Sequence, residues 1–382
     1  MATPIPSALI TGGCGFVGRA IVQRLTTTHP ETSITVLDLR APSTDAAIPG
    51  VDHISADITS ASRMTDILQA VHPTLVIHTA GIVPAGSSRY APTSAEREAV
   101  KRVNIEGTRT TLRAAQAAGA TAFVYTSSCT VVTDDVRTAL PHMTEALPTG
   151  FATLVYGASK AAAEALVLAA SSRPAPGSGG GFSTCALRPS MVFGPGDTQV
   201  LPPIHACIAA AQTPFVLGDG ENLYDFTHVE NVAHAHVLAA ENLLRHANDR
   251  ASGRGKAVSA AAGEAFFISN AEPVPFRDFC LAVWAEFGHV PPYTVYIPAS
   301  VAWWAGYAAE WLMRGATWLT GTKKTAALSR GAVEDACGVR YACIEKARAT
   351  LGYVPIIGLV EGLRESCREY KERLKTAEGK RG

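Results

Sequence analysis

The chain has 382 residues, of which 47% are apolar and 17% charged, a composition typical of a folded globular protein with one large or two modest domains. Basic and acidic residues both number 33, so no overall field favours nucleic acid or an anionic membrane. The eight cysteines form no C-x-x-C pair, and no charged and apolar leader follows the first Met, which predicts an intracellular protein.

A strand, a glycine-rich loop and a helix follow one another near the start of the chain. Ser7–Thr11 is predicted as a buried strand and residues 19–27 as an amphipathic helix, with the loop GGCGFVG between them. Gly12 permits the tight turn, Gly15 lets the backbone approach a pyrophosphate, and Gly18 lets the helix pack on the strand. This order predicts a dinucleotide site at the helix N-terminus.

Residues 34–37 are predicted as a second strand, which ends at Asp38, twenty residues after Gly18. A carboxylate at this place binds the adenosine ribose hydroxyls and repels a 2′-phosphate, so the sequence favours NAD over NADP. The nearby Arg40 keeps NADP open, because its guanidinium could turn towards a phosphate.

Three further apolar stretches, at residues 54–58, 75–78 and 123–128, continue the alternation of strands and helices. They lack a polar face, which is typical of parallel strands that helices cover on both sides. The fold class predicted is therefore α/β, with a Rossmann-type doubly wound parallel sheet. Ligands in such sheets bind beyond the carboxyl ends of the strands, where the glycine loop also lies.

Tyr156 and Lys160 lie four residues apart in the predicted helix sequence YGASK, so they share one helix face. A nearby ammonium favours the phenolate form and lowers the pKa of a tyrosine, which would let Tyr156 accept a proton near neutral pH. An amphipathic surface pair is the alternative meaning of this spacing. Ser127 and Ser128 end the preceding strand, and alternation along a strand turns only one of them towards the site.

The alternation breaks after Asp197, which predicts a smaller and mostly helical C-terminal lobe that binds the substrate. We assign residues 1–197 and 225–245 to the dinucleotide-binding Rossmann domain. Residues 198–224 and 256–382 are assigned to the substrate-binding lobe.

Residues 300–321 are predicted as an amphipathic helix that carries four of the five tryptophans. Trp304, Trp311 and Trp318 recur every seven residues, and charged residues interrupt the apolar run, so no transmembrane span is expected. Three interpretations stay open: core packing, a lid over an apolar substrate, and membrane contact through interfacial tryptophans.

His228, His234 and His236 fall within nine residues, but they lack ligand spacing on one helix face and have no suitably spaced Cys or acidic partner. The sequence therefore predicts no metal site.

Several motifs together resemble the extended short-chain dehydrogenase/reductase family, from residue 7 to about residue 370. They are the glycine loop, Asp57-Ile58, Thr126-Ser127-Ser128, Tyr156-x-x-x-Lys160, and Arg188-Pro189 followed by Gly194-Pro195-Gly196-Asp197. Residues 220–236, the ISNAEPVPF stretch and the late LGY-x-P motif resemble the 3β-hydroxysteroid dehydrogenase branch, especially its sterol-4α-carboxylate 3-dehydrogenase (decarboxylating) members.

The resemblance implies that Ser128, Tyr156 and Lys160 are catalytic. Tyr156 takes the proton of a secondary alcohol, Ser128 hydrogen-bonds its oxygen, and Lys160 holds the nicotinamide ribose and lowers the pKa of Tyr156. Asn104 supports this group through a helix irregularity or a water, or else only caps the chain locally. The residues expected at the cofactor, NAD with NADP left open, are Gly12, Gly15, Phe16, Val17, Gly18, Asp38, Asp57, Ile58, Thr79, Ala80, Gly81, Asn104, Thr126, Tyr156, Lys160, Pro189 and Val192. Those expected at the substrate are Ser128, Tyr156, Ser190, Trp304 and Trp311.

The implied activity is the NAD-dependent oxidation of a 3β-hydroxyl on a steroid or polycyclic terpenoid to the 3-ketone, with loss of CO₂ where a 4-carboxylate is present. The alternatives are 3-ketone reduction or Δ5-isomerisation on the same scaffold, nucleotide-sugar epimerase or dehydratase chemistry, and a non-catalytic dinucleotide sensor. The expected partner is an apolar polycyclic small molecule and not nucleic acid. Family members often dimerise through helices beside the sheet and contact membranes, so a homodimer and a cytoplasmic or peripheral location on the cytosolic face of the endoplasmic reticulum are further expectations.

Overall fold

Apolar strands alternate with helices along most of the chain. A computed structural model of the protein describes residues 3–41, 47–132, 139–171, 181–251, 261–320 and 329–379. Within them the strands are β1 (Ser7–Thr11), β2 (Ser33–Asp38), β3 (Val51–Ser55), β4 (Leu75–His78), β5 (Ala122–Thr126), β6 (Leu140–Met143), β7 (Ser183–Pro189), β8 (Val192–Phe193), β9 (Phe215–Leu217), β10 (Leu223–Tyr224), β11 (Thr227–His228), β12 (Glu264–Ile268), β13 (Val274–Pro275), β14 (Val295–Ile297) and β15 (Arg340–Ala342). The α-helices are α1 (Phe16–Thr28), α2 (Ala61–Val71), α3 (Ser87–Tyr90), α4 (Ser94–Lys101), α5 (Thr108–Ala117), α6 (Val155–Ala169), α7 (Leu201–Ala209), α8 (Val229–Ala251), α9 (Phe276–Glu286), α10 (Ala299–Thr320), α11 (Arg330–Cys337), α12 (Glu345–Leu351) and α13 (Leu359–Gly379).

Seven parallel strands form the central sheet, in the order β12-β7-β5-β4-β1-β2-β3. Successive strand residues point to opposite faces, so Ile10 packs in one core with helices α1 and α8, and Leu9 packs in another with α2 and α5. Every residue of β4, β5 and β7 is buried, because helices cover the sheet on both sides. The predicted Rossmann-type α/β fold is confirmed.

Strand β12 departs from the predicted domain boundary. It lies after residue 256, in the predicted substrate lobe, but it pairs with β7 and completes the central sheet, with Phe266 opposite Leu187. Four of its five residues are buried, including Phe267 and Ile268, and the edge of the Rossmann sheet can bury such a run on both faces. Tyr353 also packs against the core beside α8, so the chain returns to the nucleotide domain twice after residue 256.

The C-terminal lobe is mostly helical, as predicted, and it also contains a four-stranded sheet in the order β13-β10-β15-β6. Its core is aromatic: the rings of Phe226 and Phe279 are stacked with centroids 3.6 Å apart, and the Trp284 indole donates to the Ile204 carbonyl at 2.7 Å. Helices α7, α9 and α13 surround this core.

Candidate active site

The glycine loop is folded tightly against the ends of β1 and β4. Gly12 has φ +71°, and a Cβ atom there would lie 2.7 Å from the Ala80 nitrogen. A Cβ on Gly18 would lie 2.2 Å from the Gly12 carbonyl oxygen, so neither position accepts a side chain. Gly15 caps α1 with no side-chain hydrogen bond, and the first turn holds no acidic residue. The first-turn N–H groups of α1 therefore suit a phosphate, and the predicted dinucleotide loop fits this backbone.

Asp38 ends β2 beside this loop. Its Oδ2 accepts from the Cys14 nitrogen at 3.1 Å and its Oδ1 from the Leu39 nitrogen at 2.8 Å, which fixes the carboxylate at the carboxyl edge of the sheet. Burial, and then the negative charge of Asp38, raise the pKa of the Cys14 thiol. Cys14 is consequently a neutral packing residue at physiological pH.

Asp57 and Ile58 lie just beyond β3. The exposed Asp57 accepts at 2.8 Å from both the backbone nitrogen and the hydroxyl of Thr59, and so holds the turn before α2. Ile58 is buried against Gly107, where a Cβ would lie 2.5 Å from its Cδ1. Ile58 thus packs the loop after β3 against the start of α5.

Thr79, Ala80 and Gly81 follow β4 at the same edge. The Thr79 hydroxyl donates to the Thr11 carbonyl at 2.8 Å, which ties the ends of β4 and β1 together. A Cβ on Gly81 would lie 3.2 Å from Asn104 Oδ1 and 4.0 Å from Lys160 Nζ. Thr79, Ala80 and Gly81 thus lie between the glycine loop and the Lys160 ammonium.

Asn104 lies in a π-helical turn, Arg102–Gly107, between α4 and α5, so the helix irregularity considered from the sequence is present. Its side chain is 1% exposed and makes three hydrogen bonds: Oδ1 accepts from the Ile82 nitrogen at 2.7 Å, and Nδ2 donates to the Ile82 carbonyl at 3.0 Å and to Ser159 Oγ at 2.9 Å. Ser159 in turn donates to the Tyr156 carbonyl at 2.7 Å. Asn104 therefore braces the first turn of α6, which carries Tyr156.

Lys160 and Tyr156 share the helix face that their spacing predicts, but their electrostatics differ from the expectation. Lys160 is 5% exposed, and its ammonium donates to the Thr126 carbonyl and lies 4.4 Å from the centre of the Tyr125 ring. Burial lowers the pKa of Lys160 to about 7, while Glu164 acts in the opposite direction.

Burial, followed by the neighbouring Cys129, raises the pKa of the half-buried Tyr156 to about 12, and a hydrogen bond with Ser128 and the charge of Arg89 only partly oppose this. The expectation that Lys160 lowers the pKa of Tyr156 is therefore wrong for this structure, because desolvation dominates and the ammonium is directed at Thr126.

The two serines at the end of β5 point to different places. The Ser128 hydroxyl is hydrogen-bonded with Tyr156 and accepts from the Thr130 hydroxyl at 2.9 Å. The Ser127 hydroxyl donates at 2.6 Å to Glu164, which also forms a buried bidentate pair with Arg188. Ser128 therefore lies at the phenol, and Ser127 belongs to a structural network behind it.

His78 joins the site without having been assigned a role from the sequence. The Thr11 hydroxyl is 2.6 Å from Nδ1, and Nε2 is 2.9 Å from the hydroxyl of Thr108, which itself donates to the Asn104 carbonyl at 2.7 Å. Burial, then the charge of Lys160, lower the pKa of His78 to about 3, so the ring is neutral. The hydrogen bonds then run from Thr11 through His78 to Asn104. The one available sequence signal is a polar residue that ends an otherwise apolar strand.

The remaining predicted site residues are spread over the sheet edge and the lobe. Thr126 bonds Lys160 through its carbonyl, and its hydroxyl is 2.8 Å from His236 Nε2. Pro189 ends β7, and Val192 lies in β8, packed against the core that holds α1. Ser190 is 2% exposed and its hydroxyl donates to the Asp225 carbonyl at 3.2 Å, so it faces the protein in this structure and not an open surface.

Trp304 and Trp311 lie on the outer face of α10, 62% and 56% exposed. Core packing is therefore wrong for these two residues, and the side chain of Trp318 lies outside the described structure. The inner face packs through Trp303, which donates to Glu334 at 2.9 Å. Across the residues that the structure describes, no helix combines the length and the hydrophobicity needed to cross a membrane.

Comparison with known proteins gives one family. The model of the 3-beta hydroxysteroid dehydrogenase/isomerase family matches residues 9–299. The sterol-4-alpha-carboxylate 3-dehydrogenase, decarboxylating, of Schizosaccharomyces pombe is 36% identical over 313 residues, which cover 82% of each chain. The enzyme of that name from Saccharomyces cerevisiae is 32% identical over 371 residues, covering 95% of this chain and 97% of its own.

Solved structures show the same fold. An epimerase from Methanothermobacter thermautotrophicus superposes with a TM-score of 0.69 and 21% identity, over 98% of this chain and 94% of its own. A dTDP-glucose 4,6-dehydratase from Streptomyces venezuelae, solved with NAD, superposes with a TM-score of 0.67 and 20% identity, over 96% and 97%. At these identities the likeness concerns the fold alone.

Proposed function

Because the chain belongs to the 3-beta hydroxysteroid dehydrogenase/isomerase family, a family of oxidoreductases, we propose that it oxidises the 3β-hydroxyl of a sterol-like alcohol to the ketone with NAD. We further propose that a 4-carboxylate on that skeleton is lost as CO₂, since several relatives carry the name of a decarboxylating dehydrogenase. The observation that carries the proposal is the hydrogen-bonded pair of Tyr156 and Ser128 at the end of β5, with Lys160 beside it.

The dinucleotide would be held by residues that fit it. The uncapped N-terminus of α1 suits the pyrophosphate, Gly12 and Gly18 let the loop fold tightly, and Gly15 lets the backbone approach the pyrophosphate. Asp38, fixed by two backbone N–H groups, would accept from the ribose hydroxyls, which supports NAD over NADP. When bound, the nicotinamide supplies the acceptor for the carbinol hydride.

Tyr156 is the proposed base. At pH 7 its phenol is protonated, so proton acceptance requires a nearby positive charge that favours phenolate. The oxidised nicotinamide ring would supply that charge when bound, because the Lys160 ammonium is directed at the Thr126 carbonyl in this structure. In this structure the Ser128 hydroxyl is hydrogen-bonded with the phenol of Tyr156. It would hydrogen-bond the alcohol oxygen of a substrate bound next to that phenol.

Loss of CO₂ requires no further acid or base. Once the 3-hydroxyl is a ketone, a 4-carboxylate belongs to a β-keto acid: the bond between C4 and the carboxyl carbon breaks, its electron pair moves to the ketone oxygen as an enolate, and a proton later adds at C4. The protonated Tyr156 and Ser128 hydroxyls would donate to the developing enolate oxygen, which lowers the barrier.

The outer face of α10 supports a proposed peripheral contact with a membrane, from which an apolar sterol would enter. Val301, Trp304, Trp311, Leu312 and Leu319 form one exposed stripe at helical spacing, each more than half exposed. Cosedimentation with phosphatidylcholine vesicles measures this contact. Changing Trp304 and Trp311 to Ala should abolish it, and sedimentation that both changes leave intact would contradict it.

The experiment for the oxidation compares Tyr156→Phe with the matched serine variants on a panel of 3β-hydroxysterols with NAD. Tyr156→Phe should lower kcat by about 10² or more and leave NAD affinity nearly intact, which is the scale of general acid–base catalysis. Ser128→Ala should also lower kcat. Ser127→Ala should keep kcat and lower stability, because its hydroxyl serves Glu164. Unchanged turnover in Tyr156→Phe, or equal losses for the two serines, would refute the assignment.

A further inference from the structure

Arg340 is a buried cation that forms no ion pair with any acidic residue in the part of the chain that the structure describes. It is 1% exposed, and its Nε and Nη2 atoms are buried with no hydrogen-bond acceptor. Burying a guanidinium in this way costs several kcal/mol, so a protein keeps it when something else supplies the missing anion.

The free atoms are those that bind a carboxylate. Nε–H and Nη2–H point in parallel from one edge of a guanidinium and match the two oxygens of a carboxylate. The same chain shows this use: Nε and Nη2 of Arg188 hold the two oxygens of Glu164 at 3.0 and 2.6 Å. In Arg340 neither of these two N–H groups has an acceptor among the described residues.

Arg340 and Tyr156 have two neighbouring groups in common, Cys129 and Arg89. Arg340 stands in β15, in register with Tyr224 of β10, and the charges that act on it include those of Cys129 and Arg89. Cys129 and Arg89 also act on Tyr156, and Cys129 directly follows the serine that bonds the phenol. The glycine loop and Lys160 lie at the carboxyl edge of the central sheet.

One carboxylate, Asp335, is among the groups that act on Arg340, and it also serves other partners. Asp335 is already engaged, since it pairs with Arg89 at 2.8 Å and accepts from the Tyr90 hydroxyl at 2.5 Å. Tyr90 and Tyr224 are neutral, because burial raises the pKa of each. Two arginines and one carboxylate thus leave one positive charge beside the catalytic tyrosine among the described residues.

We infer that Arg340 binds a carboxylate of the substrate, carried on the carbon next to the alcohol that Tyr156 deprotonates. This rests on the proposed oxidation and adds its specificity: Arg340 selects acids over neutral sterols. It also sets which face of the ring system meets Tyr156, because the carboxylate and the hydroxyl are then held at two fixed points.

The test uses a matched pair of substrates, a 3β-hydroxysterol with a 4α-carboxylate and its counterpart with a 4α-methyl group, and follows formation of reduced nicotinamide. Arg340→Met should lower kcat/KM for the acid by about 10²-fold or more, the scale of a lost charge-assisted bidentate contact, and change that for the methyl alcohol by less than about threefold. Arg340→Lys should recover part of the loss. Arg330→Met, which removes an arginine paired with Glu310 elsewhere in the lobe, should leave the ratio of the two substrates unchanged.

Equal losses for both substrates in Arg340→Met would overturn the inference, and so would failure of that variant to fold, because a guanidinium without partners cannot hold the structure together. A second measurement needs no variant: wild-type protein should prefer the acid to its methyl ester by about 10²-fold, and equal kcat/KM values would also overturn it. If the wild type oxidises both sterols without preference, this inference alone fails. If it oxidises neither, the proposed function fails.

Discussion

Replacing Lys160 by Met tests whether this buried residue of the proposed active site destabilises the fold. Burial lowers the pKa of Lys160 from 10.5 to about 7, so between these pH values the unfolded chain binds the proton more tightly than the folded one. The folded pKa is depressed, and protonation therefore favours unfolding below pH 10. At about 1.36 kcal/mol per pH unit, the difference corresponds to on the order of 4 kcal/mol of stability lost at pH 7.

Met keeps most of the volume of Lys160 and removes the charge. We expect Lys160→Met to raise the free energy of unfolding at pH 7 by about 3 kcal/mol, after about 1 kcal/mol is subtracted for the lost hydrogen bond to the Thr126 carbonyl. The gain should shrink as the pH rises to about 9.5, because the wild-type lysine is then neutral in the folded chain and mostly relieved of this cost. The same variant should lose dehydrogenase turnover.

The assay is urea unfolding followed by circular dichroism at several pH values between 7 and 9.5, without added dinucleotide. Lys346→Met is the matched control, because it makes the same substitution at a partly exposed ammonium that is paired with Glu264. Other groups titrate in both chains, so the difference between variant and wild type isolates Lys160. A difference that does not vary with pH, or a variant destabilised throughout, would refute this account of the buried lysine.

Three further changes probe the site. Asp38→Ala should weaken discrimination against NADP, and an unchanged ratio of kcat/KM for the two cofactors would mean that another group sets the preference. Gly18→Ala should abolish NAD binding in a fluorescence titration, because its Cβ would lie 2.2 Å from the Gly12 carbonyl oxygen; retained affinity would show that the loop can shift. Burial raises the pKa of Asp225 to about 7 from 3.8, so wild-type stability should fall by about 4 kcal/mol between pH 4 and 8 through this group, and Asp225→Asn should flatten that decline in urea unfolding. Parallel curves would exclude Asp225 as its source.

The central sheet could be predicted where strands are buried on both faces. Strands β1 and β4 have the bounds that their apolar runs predict, because every residue in them except the half-buried Ser7 is buried. Strand β3 was displaced by three residues, to Val51–Ser55, because it lies at the sheet edge and exposes Asp52 and Ser55. An edge strand has no uninterrupted apolar run to mark it.

The site could be predicted in its parts but not in its electrostatics. Spacing along α6 shows that Tyr156 and Lys160 share a face, but it carries no information on burial, which reverses the expected direction of the tyrosine pKa shift. Ser127 and Ser128 are adjacent in sequence, and only the position of Glu164 on α6 distinguishes them. The burial of Tyr156 and the position of Glu164 depend on contacts between residues that are far apart in sequence, and a local sequence pattern does not contain these contacts.

Arg188 and Arg340 show why the chemistry of a buried cation depends on what the fold brings to it. Both are nearly fully buried, and both direct Nε and Nη2 into the protein. Arg188 meets Glu164, so its charge is neutralised within the chain and its contribution is structural. Arg340 lies beside the protonated Tyr224 and near Asp335, a carboxylate that Arg89 already pairs with. Lys160 is a second buried cation near Tyr156, and its lowered pKa means that its charge costs stability at neutral pH. Arg340 fits the proposed substrate carboxylate, because an anion bound there would compensate its charge, and Lys160 fits the proposed dinucleotide site.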